Sequence, residues 1–362
     1  MPLSPPADAP TPSSFCQSFK AKKDKSPVTI ADYGAQAVIS LVLAAAFPSE
    51  PVSIVGEEDA TELRTAEQAA IRAKVVDAVN AAVAAYGDPP EGMPRLPAAL
   101  SEDQVLEAID RGGSAGGPSG RHWVLDPVDG TLGFVRGDQY AISLGLVEDG
   151  RLVAGVLGCP NYPQRGAWLQ HPHRFFRLAE KLLKRDPTAW TKGIVFLARR
   201  GAGCFAEPLV AAGGAGGAPP AARRVAVRVS RCVDPANAVF CEPVEKGNSS
   251  QSYTASLAKG LGVGRGAMRM YSSAKYGAIA RGDAEVFMKF PQASYKEKSW
   301  DHAAGVLLVA EAGGLVTDAG GAPIDFSSGR LLEVDRGLLA ANRTLHRMLV
   351  VAVESSWASS ML

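Results

Sequence analysis

The sequence predicts a layered fold of mixed α+β and α/β character, and three observations carry that reading. Tyr140 to Val147 and Arg151 to Leu157 flank Glu148-Asp149-Gly150, a turn signature between two strand-type runs that marks an antiparallel sheet. Farther on, short strand-type runs (Arg224 to Val229, Ala284 to Phe290, Leu315 to Thr317) alternate with helical stretches (Ser272 to Arg281, Asp301 to Ala312, Asn342 to Val353), the pattern of an α/β layer. Finally, 362 residues with 46% hydrophobic content can bury one large core or two ordinary ones, so two domains are expected.

Taken in order, residues 1–24 read as a tail rich in Pro, Ser and Ala. An extended entry, Ser26 to Thr29, leads into a helix from about Ala31 to Phe47 that Pro48 stops. Asp32 sits in its first turn, where the helix dipole favours an anion. Val52 to Val55 is a short buried strand delivering Glu57 and Glu58 at its end, and Ala66 to Ala85 is an alanine-rich helix. Ser101-Glu102-Asp103-Gln104 is a capping box opening a helix to Asp110, followed by a glycine- and serine-rich loop to Gly120. Phe175 to Lys184 reads as a short basic helix in a connecting segment, and Ile194 to Ala198 with Cys204 to Ala206 as another hairpin. Ala211 to Ala222, nearly all Ala, Gly and Pro, is a linker between halves. The expected division is therefore a first domain over residues 25–222 and a second over 223–362.

The stretch around which these elements are organised is His122-Trp123-Val124-Leu125-Asp126-Pro127-Val128-Asp129-Gly130-Thr131. A short strand breaks at proline and glycine with two acids three residues apart. Two carboxylates about 4 Å apart repel by roughly 4 kcal/mol at an effective dielectric of 20, so such a strand end calls for protons or cations between them. Hard divalent ions serve that purpose at neutral pH. Gly130 and Thr131 offer backbone N–H groups where the chain turns into Leu132 to Val135, and such groups receive phosphate oxygens. The same pentapeptide alone would be an ordinary solvated turn. Gly56-Glu57-Glu58-Asp59 and Trp300-Asp301-His302, each an acid at the edge of a regular element, make a cation site the better reading.

Composition excludes other classes. A formal net charge of +1 argues against broad binding to nucleic acid or to an acidic membrane surface, and the apolar run from Val38 to Phe47 is short of the roughly 20 residues a membrane span needs. The five cysteines, Cys16, Cys159, Cys204, Cys232 and Cys241, show no CxxC spacing, so a reducing compartment is expected. A cytoplasmic location follows, or a plastid or mitochondrion if the tail belongs to a transit peptide. Cys159 lies beside Pro160, and a small buried hydrophobe is its ordinary use, ahead of a redox switch.

These residues together resemble the lithium-sensitive, magnesium-dependent phosphomonoesterases that include inositol monophosphatase. Asp126-Pro127-Val128-Asp129-Gly130-Thr131 and Trp300-Asp301 ahead of a helix ended by Gly313-Gly314 match its signatures, with Gly56-Glu57-Glu58 upstream. Within that superfamily the chain is most similar to the plant-type 3′(2′),5′-bisphosphate nucleotidases. Ser26 to Thr29, Asp32 to Ala37, Gly133 to Ala141, Gly158 to Asn161, Ser272 to Gly277 and Tyr295 to Lys298 carry that similarity. It spans about Lys25 to Asn342, interrupted by an insertion at about 164–192.

The resemblance implies the layered αβαβα sandwich of the sugar phosphatases. It implies two or three Mg²⁺ ions held by Glu57, Asp126, Asp129 and Asp301 with the carbonyl of Val128, while Asp32 and Thr131 hold and deprotonate the attacking water. Gly130 and Thr131 would receive the scissile phosphate, and Asn248, Ser272, Lys275 and Lys289 would grip the nucleotide and its second phosphate. Asn248 stands where the family usually has histidine, and Lys289 where it has arginine; lysine keeps the charge but loses the bidentate fork. The leading helix of the family is cut down to Phe15 to Lys20. The implied reaction is hydrolysis of 3′-phosphoadenosine 5′-phosphate to AMP and phosphate, with the 5′-phosphosulfate as a second substrate. An inositol polyphosphate 1-phosphatase and a non-catalytic nucleotide-binding protein are the alternatives.

Overall fold

The computed structural model describes residues 19–21, 27–164, 192–209, 224–292 and 295–360. The basic helix expected at Phe175 to Lys184, the loop Ala211 to Ala222 and all but the end residues of the insertion lie outside them.

β1 (Phe19–Ala21) pairs antiparallel with β2 (Pro27–Thr29), so the last residues of the expected leading helix are extended instead, placing Lys20 opposite Val28. Helix α1 (Ile30–Ala46) starts at Thr29, whose hydroxyl accepts the Ala31 N–H at 3.1 Å while Asp32 accepts the Thr29 N–H at 2.7 Å. Its buried face, Tyr33, Gln36, Ala37, Ser40 and Leu41, follows the helical spacing of three and four. This face packs with α2 (Ala69–Tyr86) and α3 (Glu102–Asp110), which bury Val75, Val79, Val105 and Ile109. The Ser101 capping box opens α3 as the sequence indicates.

Seven strands follow in one sheet, in the spatial order β3 (Ile54–Gly56), β4 (Arg121–Asp129), β5 (Ala141–Glu148), β6 (Arg151–Pro163), β7 (Lys192–Arg199), β8 (Gly203–Pro208) and β9 (Val225–Val227). Only β3 and β4 run parallel; every other pair is antiparallel. Asp149 and Gly150 both adopt positive φ at the β5–β6 turn, the backbone a tight hairpin needs. β9 lies in the run assigned to the later α/β layer, yet it pairs with Cys204 to Ala206 and closes the edge of this first sheet.

The second sheet has the order β11 (Met268–Met270), β10 (Phe240–Pro243), β12 (Val286–Lys289), β16 (Leu338–Asn342) and β14 (Gly314–Asp318). Two helices, α6 (Ala274–Arg281) and α7 (Ala303–Glu311), lie between the two sheets and share a core with Phe196, Leu157 and Phe287. A Cβ on Gly305 would meet the Tyr276 ring at 2.2 Å, so glycine permits the close approach of these helices. On the outer face of the second sheet, α5 (Gln251–Gly260) and α8 (Arg343–Ser360) bury Leu257, Leu345, Leu349 and Val353 against Phe240, Val286 and Leu339. The layers are thus helix, sheet, helix, sheet, helix, the αβαβα order expected. β13 (Glu297–Lys298) and β15 (Leu331–Leu332) form a small antiparallel pair beside it.

Candidate active site

β4 continues beyond the expected break, through Asp129, but its pairing with β5 shifts register between Asp126 and Asp129. This bulge is where the proline fits, because the lost ladder bond falls at the irregularity. Asp126, Pro127 and Val128 are buried and Asp129 is half-buried. The Asp126 Oδ1 accepts the Val128 N–H at 3.1 Å, and Asp129 Oδ2 accepts the Ser273 N–H. Gly130 then turns left-handed at φ 83° as the N-cap of a one-turn helix, α4 (Thr131–Val135). A Cβ there would meet Ser272 Cβ at 2.9 Å, so any side chain would push apart the two halves of the site.

Glu57 follows β3, whose parallel pairing with β4 sets Gly56 opposite Leu125. Asp301 ends a 3₁₀ turn, Ser299–Asp301, ahead of α7 rather than beginning the helix itself. The Trp300 carbonyl accepts the Ser143 hydroxyl at 3.1 Å, which ties that turn to β5. A cleft of about 180 Å³ is lined by Glu57, Asp126, Val128, Asp129, Gly130 and Thr131 together with Asn248, Ser272, Lys275, Lys289 and Asp301. Of the residues singled out in the sequence, only Asp32 stands off the wall. It is fully buried behind Thr131, whose hydroxyl donates to Asp32 Oδ1 at 3.2 Å and to the Val128 carbonyl at 3.1 Å.

The electrostatics are those of crowded acids. Burial first, and then the charges of Glu57, Asp129, Asp301 and Asp32, hold the Asp126 carboxyl well above the usual carboxylate range. Burial and then Asp129 push the Asp301 carboxyl up likewise. The potential donors are oxygen alone, four carboxylates and one backbone carbonyl, and that set fits a hard divalent cation. Lys275 donates to the carbonyls of Met270, at 3.2 Å, and Ser272. Burial, with Lys289 nearby, brings the Lys275 ammonium down to about 8.

Lys289 is engaged elsewhere, by a residue the sequence reading did not single out. Its Nζ donates to Glu297 Oε2 at 2.6 Å, and the same oxygen lies 2.8 Å from His302 Nε2. His302 Nδ1 is 2.7 Å from the Tyr276 hydroxyl. Among the described residues, Glu297, Asp301 and His302 bring three ligand-type atoms within 4.8 Å of one another. Both His302 nitrogens are occupied, however, so this group is a buried charge network beside the cleft. Burial alone would raise the Glu297 carboxyl, but Lys289 and His302 outweigh it and bring it down to about 2. In the sequence Glu297 belongs to the Tyr295 to Lys298 run that carries the family resemblance, where an acid between two lysines gives no sign of a buried network. Asn248 Nδ2 donates to Glu245 Oε2 at 3.3 Å, and Ser272 is left-handed at φ 62°. Cys159 is wholly buried with its thiol pushed far up by burial, the small-hydrophobe role rather than a reactive thiolate.

Layered helices and sheets around a cleft lined by carboxylates and lysines fit the class of metal-dependent phosphatases. The chain belongs to the inositol monophosphatase family, whose model matches residues 14–358. It is 49% identical over 348 residues to the 3′,5′-bisphosphate nucleotidase AHL of Arabidopsis thaliana, covering 95% of this chain and 90% of that one. It is 42% identical over 340 residues to the 3′(2′),5′-bisphosphate nucleotidase of Oryza sativa, covering 93% and 86%. Among solved structures, the extragenic suppressor protein suhB of Bartonella henselae matches with a TM-score of 0.54 at 19% identity, covering 94% of this chain and 90% of that one, a likeness of fold. Among the described residues no helix is long and apolar enough to cross a membrane.

Proposed function

We propose that this chain is a Mg²⁺-dependent 3′(2′),5′-bisphosphate nucleotidase that releases the 3′-phosphate of 3′-phosphoadenosine 5′-phosphate as inorganic phosphate, leaving AMP. The observation that carries the reading is the joint cleft: Asp126 and Asp129 line the same space of about 180 Å³ as Lys275 and Lys289. The curated relatives named for that reaction, at 42–49% identity over most of the chain, support it.

In this reading Glu57, Asp126, Asp129, Asp301 and the Val128 carbonyl hold two or three Mg²⁺ ions. Bound Mg²⁺ supplies charge neutralisation at phosphorus and makes water acidic enough to act as a nucleophile. Asp32 accepts a proton through Thr131, whose hydroxyl oxygen lies 3.2 Å from Asp32 Oδ1. The Gly130 and Thr131 N–H groups, at the start of α4, orient the scissile phosphate. Lys275, Lys289, Ser272 and Asn248 hold the nucleotide and its 5′-phosphate. Residues 25–222 thereby supply most of the acids and residues 223–362 the nucleotide grip, with 1–24 as a tail ahead of both. The substrate is a small molecule; the 5′-phosphosulfate is a second substrate of the same shape.

The test is phosphate release from 3′-phosphoadenosine 5′-phosphate and from inositol 1,4-bisphosphate, each in Mg²⁺ and in chelator. A higher kcat/KM on the nucleotide, lost with the chelator, supports the reading. Preference for the inositol substrate would replace it with a 1-phosphatase, and nucleotide binding without turnover would leave only a binding protein.

A further inference from the structure

Arg330 lines no part of the cleft, yet its guanidinium gathers three backbone carbonyls. Nη2 donates to Gly56 O at 2.7 Å, and Nη1 donates to Gly112 O and Ser114 O, each at 3.1 Å. The flat face of the same group lies 4.8 Å from the centroid of the Trp300 ring. Gly56 is the residue before Glu57, and Trp300 the residue before Asp301. The main chain repeats the connection, because the Ser299 N–H donates to Arg330 O at 2.9 Å and the Gly56 N–H to Gly112 O at 2.8 Å. Gly116 and Gly329, both left-handed, let the two loops meet backbone to backbone: a Cβ on Gly329 would lie 2.2 Å from Ala115 O.

We propose that Arg330 is a positioning residue of the cation site, fixing the spacing between Glu57 and Asp301 by holding the residue before each. This rests on the reading that those carboxylates bind divalent cations. Glu57 is carried by the first sheet and Asp301 by the turn before α7, and the two acids repel whenever no cation lies between them. A chelate whose arms are already at the right distance binds more tightly than one whose arms an ion must first draw together. Only arginine meets this geometry, since lysine has neither a planar fork for three carbonyls nor a flat face for an indole.

The experiment is titration calorimetry of Mg²⁺ into the substrate-free protein, for wild type, Arg330→Met, Arg330→Lys and Arg336→Met. Arg336 is the control, because it also stacks on a tryptophan, Trp357 at 5.6 Å, and pairs with Asp335 and Glu354, but has no part in the cleft. Arg330→Met should weaken Mg²⁺ binding by about 10- to 100-fold, Arg330→Lys by several-fold, and Arg336→Met not at all, even if its Tm falls. A folded Arg330→Met protein with wild-type affinity overturns the proposal. Should that variant not fold, wild-type affinity in Arg330→Lys overturns it equally. A wild-type protein that binds no Mg²⁺ is a different outcome, which removes the cation reading and the role of Arg330 with it.

Discussion

Thr131 and Asp32 are 99 residues apart in the chain, yet the hydroxyl of one donates to Oδ1 of the other at 3.2 Å. The second oxygen of Asp32 takes both the N–H and the hydroxyl of Thr29, at 2.7 and 2.6 Å. One carboxylate therefore caps α1 and orients Thr131, so the cap and catalytic readings of Asp32 are two ends of the same group.

Because an amide can still accept the cap bond, Asp32→Asn should cost at most about 1 kcal/mol of stability. It should lose about 100- to 10,000-fold in kcat with KM little changed, the loss expected when a positioned base is removed. Steady-state kinetics beside thermal denaturation check the split. A kcat near wild type would leave Asp32 with capping alone.

Asp126→Asn should abolish Mg²⁺-dependent phosphate release. In chelator near neutral pH the same variant should melt a few degrees higher than wild type, because it removes a charge that burial and four neighbouring acids disfavour. The sign follows from linkage: a carboxyl whose folded pKa is raised costs stability once the pH exceeds its unfolded value. Melting curves of both proteins with and without Mg²⁺ test this, and a lower Tm for the variant in chelator would contradict it.

The Lys275 ammonium, brought down to about 8 by burial and by Lys289, loses its proton as the pH rises through that value. If it grips a substrate phosphate, KM for the bisphosphate should climb above pH 8. Lys275→Arg, whose guanidinium stays protonated, should flatten that limb. KM profiles on either side of pH 8 distinguish the two, and parallel profiles would remove Lys275 from phosphate recognition.

Glu297 is held down to about 2 because Lys289 and His302 outweigh the cost of burying it. Its stabilising contribution is present above the unfolded carboxylate value and is lost as the pH falls from about 4.5 toward 2. Glu297→Gln should destabilise by about 3–5 kcal/mol at neutral pH, because it strands the Lys289 charge, and the deficit should shrink on acidification. The double variant Glu297→Gln/Lys289→Met should be less damaged than Glu297→Gln alone. Denaturant unfolding across pH checks both statements.

What could be read from the chain depended on how local each signal is. The hairpin at Asp149 and Gly150, the capping box at Ser101, the acid in the first turn of α1 at Asp32, and the paired acids of β4 are set by neighbours a few residues away, and all of these elements form. Three short strands left no mark, because Phe240–Pro243, Met268–Met270 and Leu338–Asn342 are three to five residues long and too short to show an alternating pattern. Helix Gln251–Gly260 opens without a side-chain cap and was missed for a related reason. β9 was drawn into the first sheet by pairing across residues that separate it from β8, which no local pattern encodes. Glu297 and Arg330 are the extreme case: Glu297 is an acid among lysines, and Arg330 acts on a carbonyl 274 residues away.

If acids from three distant segments hold divalent cations together, anomalous scattering from Mn²⁺-soaked crystals will locate those cations among them. Anomalous peaks within coordination distance of Glu57, Asp126, Asp129 and Asp301 are the expected result. Mn²⁺ bound elsewhere, with these four carboxylates free of metal, would contradict the account.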